Sequence, residues 1–447
     1  MSGAALGDAF EAGDVPAAVY GLGKMGLPLA AVYAETTGAV VGADVDDAVV
    51  ASIRRGESPV VEPGLDDLVG DLVEQGALAA TTDPTAAAAR SSVHVVIVPT
   101  LLDGTEPDLS TLEDAVCDVA VGLEPGDLVV VESTVPPRTC VDRLEPLLAA
   151  ESGLASGEFG LAVCPERTAS GRALDDIRGA HPKVVGGVDA ESTRVAAALY
   201  DRLTDAEVLT VSTATTAEAV KVFEGIYRDV NIALANELGR HAGELGIDVT
   251  EAIETANTQP YCDIHRPGAG VGGHCIPYYP HFLASPFETD TPLLETARAV
   301  NESMPGYTAQ AALDGLVDVG LDPADARVLV LGATYRPGVD ELRATPAVPV
   351  VERLSAAGAD VVVTDPVASD LEPVERAGAT SRPVGGLAAA DPFDAVVLVT
   401  PQAAFESLDV PALGGEDRRL VVVDGRQALT ELRDRDAVQY RGVGVNV

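Results

Sequence analysis

Short apolar runs alternate with amphipathic stretches through the first half of the chain. Residues 15–20 form such a run, residues 27–37 carry apolar positions at helical spacing, and residues 39–43 form a second run ending at Asp44. Runs at 93–98, 128–131 and 161–164 follow, then the pair Val184 and Val185 before Gly186. Apolar runs this short, set between helical stretches, read as strands buried on both faces. They predict an α/β doubly wound parallel sheet of the Rossmann-like kind, with ligands beyond the carboxyl ends of its strands. From Thr213 the period changes. Residues 214–245 hold apolar positions at helical spacing without a proline, which predicts a helix of about 30 residues, long enough to cross a small domain. Further helices are predicted at 249–256 and 291–317. After Pro323 the alternation returns, with strands at 328–331, 361–364, 395–399 and 420–423 and a helix over 346–358. The pattern predicts two Rossmann-like doubly wound parallel-sheet domains, 1–210 and 323–447, joined by a helical middle domain, 211–322, built on the long central helix.

The first strand runs into Gly21-x-Gly23-x-x-Gly26, and an acid, Asp44, closes the second strand. Glycines there let a pyrophosphate approach the N-terminus of the following helix, where unpaired N–H groups and the helix dipole favour negative charge. Asp44 would accept from ribose hydroxyls and repel a 2′-phosphate, so the expected cofactor is NAD. Lys24, inside the loop, either adds charge for the phosphates or faces solvent. Thr100, Thr134 and Glu166 all follow strand carboxyl ends, where each alone could be a cap or turn residue; their shared edge points to a site. The second α/β half lacks a full glycine fingerprint, and the nucleotide part of a substrate is its natural occupant. Between the halves lies a glycine-crowded stretch around Cys275, with His274 beside it. A thiol on such a bend can be reached by a substrate carbon but needs a cationic or basic neighbour to become a nucleophile. Taken alone it reads first as a small buried apolar residue.

Charge changes the picture of partners. The chain of 447 residues has a formal net charge of −41. Such a field repels nucleic acid and anionic membranes, so neither is expected as a partner. The acidity is spread along the sequence, which reads as a solvated surface adapted to high salt. Lysine is nearly absent: Lys24, Lys183 and Lys221 are the only three, so each merits a reason. Polar residues at Lys221, Glu224, Arg228 and Asn231 form one stripe of the long helix, and an apolar face opposite would suit the same helix of a second subunit. Five scattered cysteines form no C-x-x-C pair, which argues against a disulfide framework and a zinc site and fits a reducing cytoplasm. The start lacks the features of a signal peptide, and no apolar run reaches membrane-spanning length.

Together these residues resemble the UDP-glucose/GDP-mannose dehydrogenase family over nearly the whole chain, from Gly21 to Asp424. The fingerprint Gly21-x-Gly23-x-x-Gly26 matches, as do Glu132-Ser-Thr-Val-Pro-Pro137, Cys164-Pro-Glu-Arg167, Lys221 with Tyr227-Arg-Asp-Val-Asn231 and Asn236-Glu237, and Gly272-Gly-His-Cys-Ile-Pro277. So does Gly332-x-x-Tyr-x-Pro-x-x-x-Asp340-x-x-Arg343-x-x-Pro346. Pro-Glu-Arg paired with Gly-His-Cys-Ile-Pro looks like the branch acting on N-acetylhexosamine nucleotides, especially UDP-N-acetylmannosamine; UDP-glucose and UDP-N-acetylglucosamine are the alternatives. The resemblance implies an NAD-dependent four-electron oxidation of a sugar C6 hydroxyl to a carboxylate, serving polysaccharide biosynthesis. Cys275 would carry the sugar as a thiohemiacetal and then a thioester, Lys221 would stabilise the oxyanion or move the first proton, and Glu166 with Thr134 would activate water. Gly21, Gly23, Met25, Gly26, Asp44, Thr100 and Thr134 would contact NAD. Glu166, Arg167, Lys221, Arg228, Asn231, Gly272, His274, Tyr335 and Arg343 would contact the UDP-sugar, Arg343 across an interdomain cleft. Two positions depart from the family pattern: Gly225 replaces a usual asparagine and Tyr279 a usual aspartate, which leaves the proton path open. A two-electron hydroxyacid dehydrogenase of similar layout is the competing class, and it would have no use for Cys275.

Overall fold

The computed structural model describes residues 3–168, 171–415 and 418–445. It divides into two compact units, Met1–Glu224 with His281–Glu288, and Gly225–Pro280 with Thr289–Val447.

Strands of the first unit are β1 (Ala17–Tyr20), β2 (Val40–Ala43), β3 (Leu78–Thr81), β4 (Val93–Val96), the small hairpin β5 (Leu101–Asp103) and β6 (Glu106–Asp108), β7 (Leu128–Val131), β8 (Gly160–Val163), β9 (Lys183–Gly187) and β10 (Val208–Thr210). Eight of them form one sheet in the order β10-β9-β8-β7-β4-β1-β2-β3. Valine and alanine dominate β1, β4 and β7, which are buried throughout, because helices cover both faces of a doubly wound sheet. The helix Gly26–Thr37 is itself buried on almost every side.

The sheet departs from the all-parallel expectation in one place. β8 pairs antiparallel with β9, Ala162 opposite Gly187 and Val163 opposite Gly186, whereas β9 and β10 run parallel to each other. An antiparallel pair needs no crossover helix, so the chain leaves β8 and turns back into β9. The start of β9, Lys183, therefore lies at the edge where β7 and β8 end.

The second unit holds β11 (Arg327–Leu331), β12 (Asp360–Thr364), β13 (Thr380–Ser381), β14 (Ala395–Leu398), β15 (Leu420–Asp424) and β16 (Val438–Gly442). They form a parallel sheet in the order β13-β12-β11-β14-β15-β16. The long helix Ala214–Arg240 passes from the first unit into the second, and the helix Pro292–Asp318 is of equal length, 27 residues. Within the second unit the two are locked by a buried polar cluster. Arg298 pairs with Asp229 at 2.5 Å, Asn301 donates to the Asp229 carboxylate at 2.8 Å and to its carbonyl at 2.9 Å, and Asn236 donates to Asn301 at 2.8 Å. Burial pushes the Asp229 carboxyl above its ordinary pKa, against the pull of Arg298. Among the described residues no helix is long and apolar enough to cross a membrane.

Candidate active site

In the first unit β1 delivers the chain into the glycine turn. Gly21 has φ +93°, a conformation other residues rarely take, and a Cβ on Gly26 would sit 1.8 Å from the Gly21 carbonyl. These two glycines close the turn. Gly23 differs, since its Cβ would meet nothing within 4 Å, so the turn keeps an open side for a ligand. The residue preceding the helix Gly26–Thr37 is Met25, which offers no side-chain cap. Leu27 N donates to the Gly23 carbonyl at 3.1 Å and Pro28 has no N–H, so an anion here would be favoured mainly by the positive end of the helix dipole and the open side of the turn at Gly23. Asp44 fixes the turn by accepting from Leu22 N at 2.7 Å and Asp46 N at 2.9 Å. An acceptor with two lone pairs per oxygen can take ribose hydroxyls as well. Geometry and donor set both fit NAD.

Thr100 and Thr134, at the ends of β4 and β7, are joined by a 2.7 Å bond from the Thr100 hydroxyl to the Thr134 carbonyl. Glu166, just past β8, accepts from Thr168 N at 2.5 Å, and the Thr168 hydroxyl donates to Met25 Sδ at 3.0 Å. One short chain of contacts thereby ties Glu166 to the glycine turn. Arg167 pairs with Glu224 of the long helix at 2.7 Å and donates to the Pro182 carbonyl at 2.9 Å. Lys221, half-buried, lies on the same helix one turn before Glu224.

Behind Glu166 is a buried group of titratable residues that motif reading singled out only in part. Glu132, at the end of β7, accepts from the Tyr200 hydroxyl and is completely buried. Burial drives its carboxyl up, to about 8, with Lys183 opposing. Burial works against the charge of Lys183, but Glu166 and Glu132 outweigh it and hold the ammonium protonated. The scarcity of lysine flagged Lys183 from sequence, but an all-parallel sheet would have placed it at the wrong edge.

In the second unit the loop 267–277 is shaped by close approaches. Asn236 accepts from Gly268 N at 2.8 Å, Ala269 N donates to the Gly425 carbonyl at 3.0 Å, and half-buried Arg426 donates to the Gly270 carbonyl at 2.8 Å. Cβ atoms on Gly272 or Gly273 would fall 2.8 and 2.9 Å from Tyr335 side-chain atoms, and Gly273 has φ +87°. Gly273 N also donates to the Arg343 carbonyl at 2.9 Å, and Tyr335 N to the Glu341 carbonyl at 3.1 Å. The segment 335–343 is thus laid along the cysteine loop, and it carries Tyr335, Glu341 and Arg343 to His274 and Cys275. His274 Nδ1 is 3.6 Å from Glu341 Oε1, and Arg343 Nε is 3.4 Å from the same oxygen. The His274 pKa is raised to about 9, first by its hydrogen bond with Cys275 and then by Glu341. Cys275 itself is half-exposed. Glu341 was missed in the sequence; its spacing within the motif 332–346 carries no sign that it faces an imidazole.

Asn231 anchors the turn before this loop, donating to the Asp263 carbonyl at 2.6 Å and accepting from His265 N at 2.9 Å. Arg228 lines a surface groove with Asn257, His265 and Arg266. The two positions that depart from the family pattern meet each other. A Cβ on Gly225 would lie 2.1 Å from Tyr279 Cδ2, and Tyr279 is buried. The tyrosine ring occupies the space a side chain at 225 would need. A parallel device serves the second sheet, where Asp365 accepts from Ala333 N and Thr334 N at 2.8 and 2.9 Å after β11, much as Asp44 holds Leu22 after β1.

Comparison with known proteins gives three matches from one family. Residues 16–204 match the NAD binding domain of the UDP-glucose/GDP-mannose dehydrogenase family, 215–303 its central domain and 329–431 its UDP binding domain. A UDP-N-acetyl-D-mannosamine dehydrogenase of Pyrococcus horikoshii is 36% identical over 96% of this chain and 98% of its own. Among solved structures, a UDP-D-ManNAc dehydrogenase from that organism superposes with a TM-score of 0.86 at 35% identity, covering 96% of this chain and 99% of the other. A UDP-glucose dehydrogenase from Pyrobaculum islandicum gives 0.85 at 28% identity, covering 96% and 98%.

Proposed function

The chain belongs to the UDP-glucose/GDP-mannose dehydrogenase family of NAD-dependent oxidoreductases, and we propose that it oxidises the C6 hydroxyl of UDP-N-acetyl-D-mannosamine to a carboxylate through a thioester on Cys275. NAD, when bound, supplies the hydride acceptor for each oxidation. The observation that carries the reading is the group around the thiol. A protonated His274, backed by Glu341, faces Cys275, and a cation beside a thiol favours the nucleophilic thiolate. Cys275 adds to the aldehyde to give a thiohemiacetal, loss of a second hydride and of the hydroxyl proton turns this into a thioester, and water then breaks its acyl–sulfur bond with the sulfur leaving as thiolate. Lys221 stabilises the alkoxide and the developing oxyanion; Glu166, positioned with Thr134, takes a proton from water. Arg343 and Arg228 suit phosphate oxygens, while Asn231, Gly272, Tyr335 and Arg167 complete the substrate contacts. The substrate choice leans on relatives named for UDP-N-acetyl-D-mannosamine; the similarity to a UDP-glucose dehydrogenase keeps UDP-glucose as the second candidate.

We further propose domains at 1–210, 211–322 and 323–447, and a homodimer through the long helix, on which Phe223, Tyr227 and Leu234 are exposed. A cytoplasmic place feeding polysaccharide biosynthesis suits the proposed product. The test is NADH formed per sugar across a panel of UDP-sugars in high potassium chloride, with products weighed by mass spectrometry. Two NADH per uronate, fastest with UDP-N-acetylmannosamine, is expected; a ratio near one would overturn the thioester route in favour of a two-electron dehydrogenase. Cys275→Ala should lose acid formation and keep NAD binding.

A further inference from the structure

Glu132 is buried, titratable and unused by the mechanism above. It closes β7 and faces Glu166, which follows the neighbouring strand β8. Glu132 Oε2 and Glu166 Oε2 are both buried, and neither has a hydrogen-bond partner. Two facing acceptors without a donor are costly in a low-dielectric interior. A single proton between them satisfies both, and the two residues are held side by side by the bond from Glu166 N to the Glu132 carbonyl at 3.1 Å.

We propose that Glu132 and Glu166 act as one proton-sharing pair, in which Glu132 receives the proton that Glu166 removes from water during thioester hydrolysis. The inference rests on the assignment of Glu166 as the base. With both carboxyls ionised, Glu166 takes one proton from the attacking water and the oxygen bonds to the acyl carbon. The proton settles between Glu166 and Glu132, the carbon–sulfur bond breaks, and the electron pair leaves on the Cys275 sulfur. The pair then releases its proton to solvent and is ready again. Like-charged carboxyls that share a site titrate together, so the lower limit of activity belongs to the pair.

The surroundings set where that limit lies. Lys183 of β9 lowers the Glu132 pKa by its charge, and Tyr200, from the helix Ala190–Leu203, lowers it by donating a hydrogen bond. Cys164 at the end of β8 and Tyr33 of the helix Gly26–Thr37 complete the shell, the ring of Tyr33 packing edge-on to Tyr200. Arg167 adds a cation acting on Lys183.

The experiment is the pH profile of kcat for uronate formation, with NAD and UDP-sugar saturating, for the intact enzyme and two variants. Glu132→Gln removes one carboxylate and its charge from the pair, and the acidic inflection should fall by at least about one pH unit, a tenfold relative gain on the acidic side. Tyr200→Phe removes a donor to the ionised form, and the inflection should rise. Opposite shifts are the signature of a shared proton; a packing role would lower melting temperature or overall rate at every pH without moving the inflection. An unmoved inflection in both folded variants overturns the proposal. Glu166→Gln separates this from failure of the underlying reading. It should accumulate acylated protein, detected by mass; if it instead forms uronate at the normal rate, the assignment of Glu166 is what has failed.

Discussion

His274 has two partners of opposite character, a sulfur and a carboxylate. Its pKa is raised from 6.5 to about 9 by Cys275 and Glu341, so the folded state binds a proton more tightly than the unfolded chain. The stability this supplies is fully present below pH 6.5 and is lost as pH rises through about 9. Melting temperature should therefore decline over that window, and His274→Gln should flatten the decline; an identical decline in the variant would refute the linkage. Thiol reactivity gives the second readout, since Glu341→Gln should slow alkylation of Cys275 by iodoacetamide at neutral pH. At Gly225 the issue is space. Gly225→Ala drives a methyl into the Tyr279 ring, an overpacking that costs about 1–3 kcal/mol. Tyr279→Asp should relieve it, so denaturation of the double variant should show less than the sum of the single losses.

At the scale of elements, the two long helices are joined by Asp229, Arg298, Asn301 and Asn236, and the same Asn236 holds the cysteine loop through Gly268. Breaking a buried ion pair from one side leaves an uncompensated charge, which costs roughly 3–5 kcal/mol. Asp229→Ala should destabilise by that order in urea unfolding. Asn236→Ala should be milder in stability yet reduce kcat, because it frees the loop that presents Cys275. Equal losses of stability with unchanged kcat would separate the loop from this anchor. The helical period of 214–245 was legible because apolar positions recur there without proline; that its polar residues divide between a loop anchor, Asn231, and helix-to-helix bonds from Asp229 and Asn236 was not. Asn231 shows why, since a single asparagine gives no sign of whether it will meet a ligand or a neighbouring carbonyl.

For the whole molecule the dominant quantity is the net charge of −41. Self-repulsion at that level opposes compaction, and salt shortens its range, from about 10 Å at 0.1 M to about 3 Å at 1 M. Melting temperature should rise steeply with potassium chloride over this range. A flat response would show that the acidity does not limit stability.

Sequence alone determined the alternation of strand and helix, the glycine turn with Asp44, and the lone cysteine among glycines, since each depends on neighbours a few positions away. Tertiary structure decided which groups face one another. The reversal of β9 brought Lys183 to Glu132 and Glu166, the path of 335–343 brought Glu341 to His274, and the Tyr279 ring took the space beside Gly225. Contacts between residues far apart in the chain depend on strand direction and loop path, and neither is encoded in the local period of apolar residues.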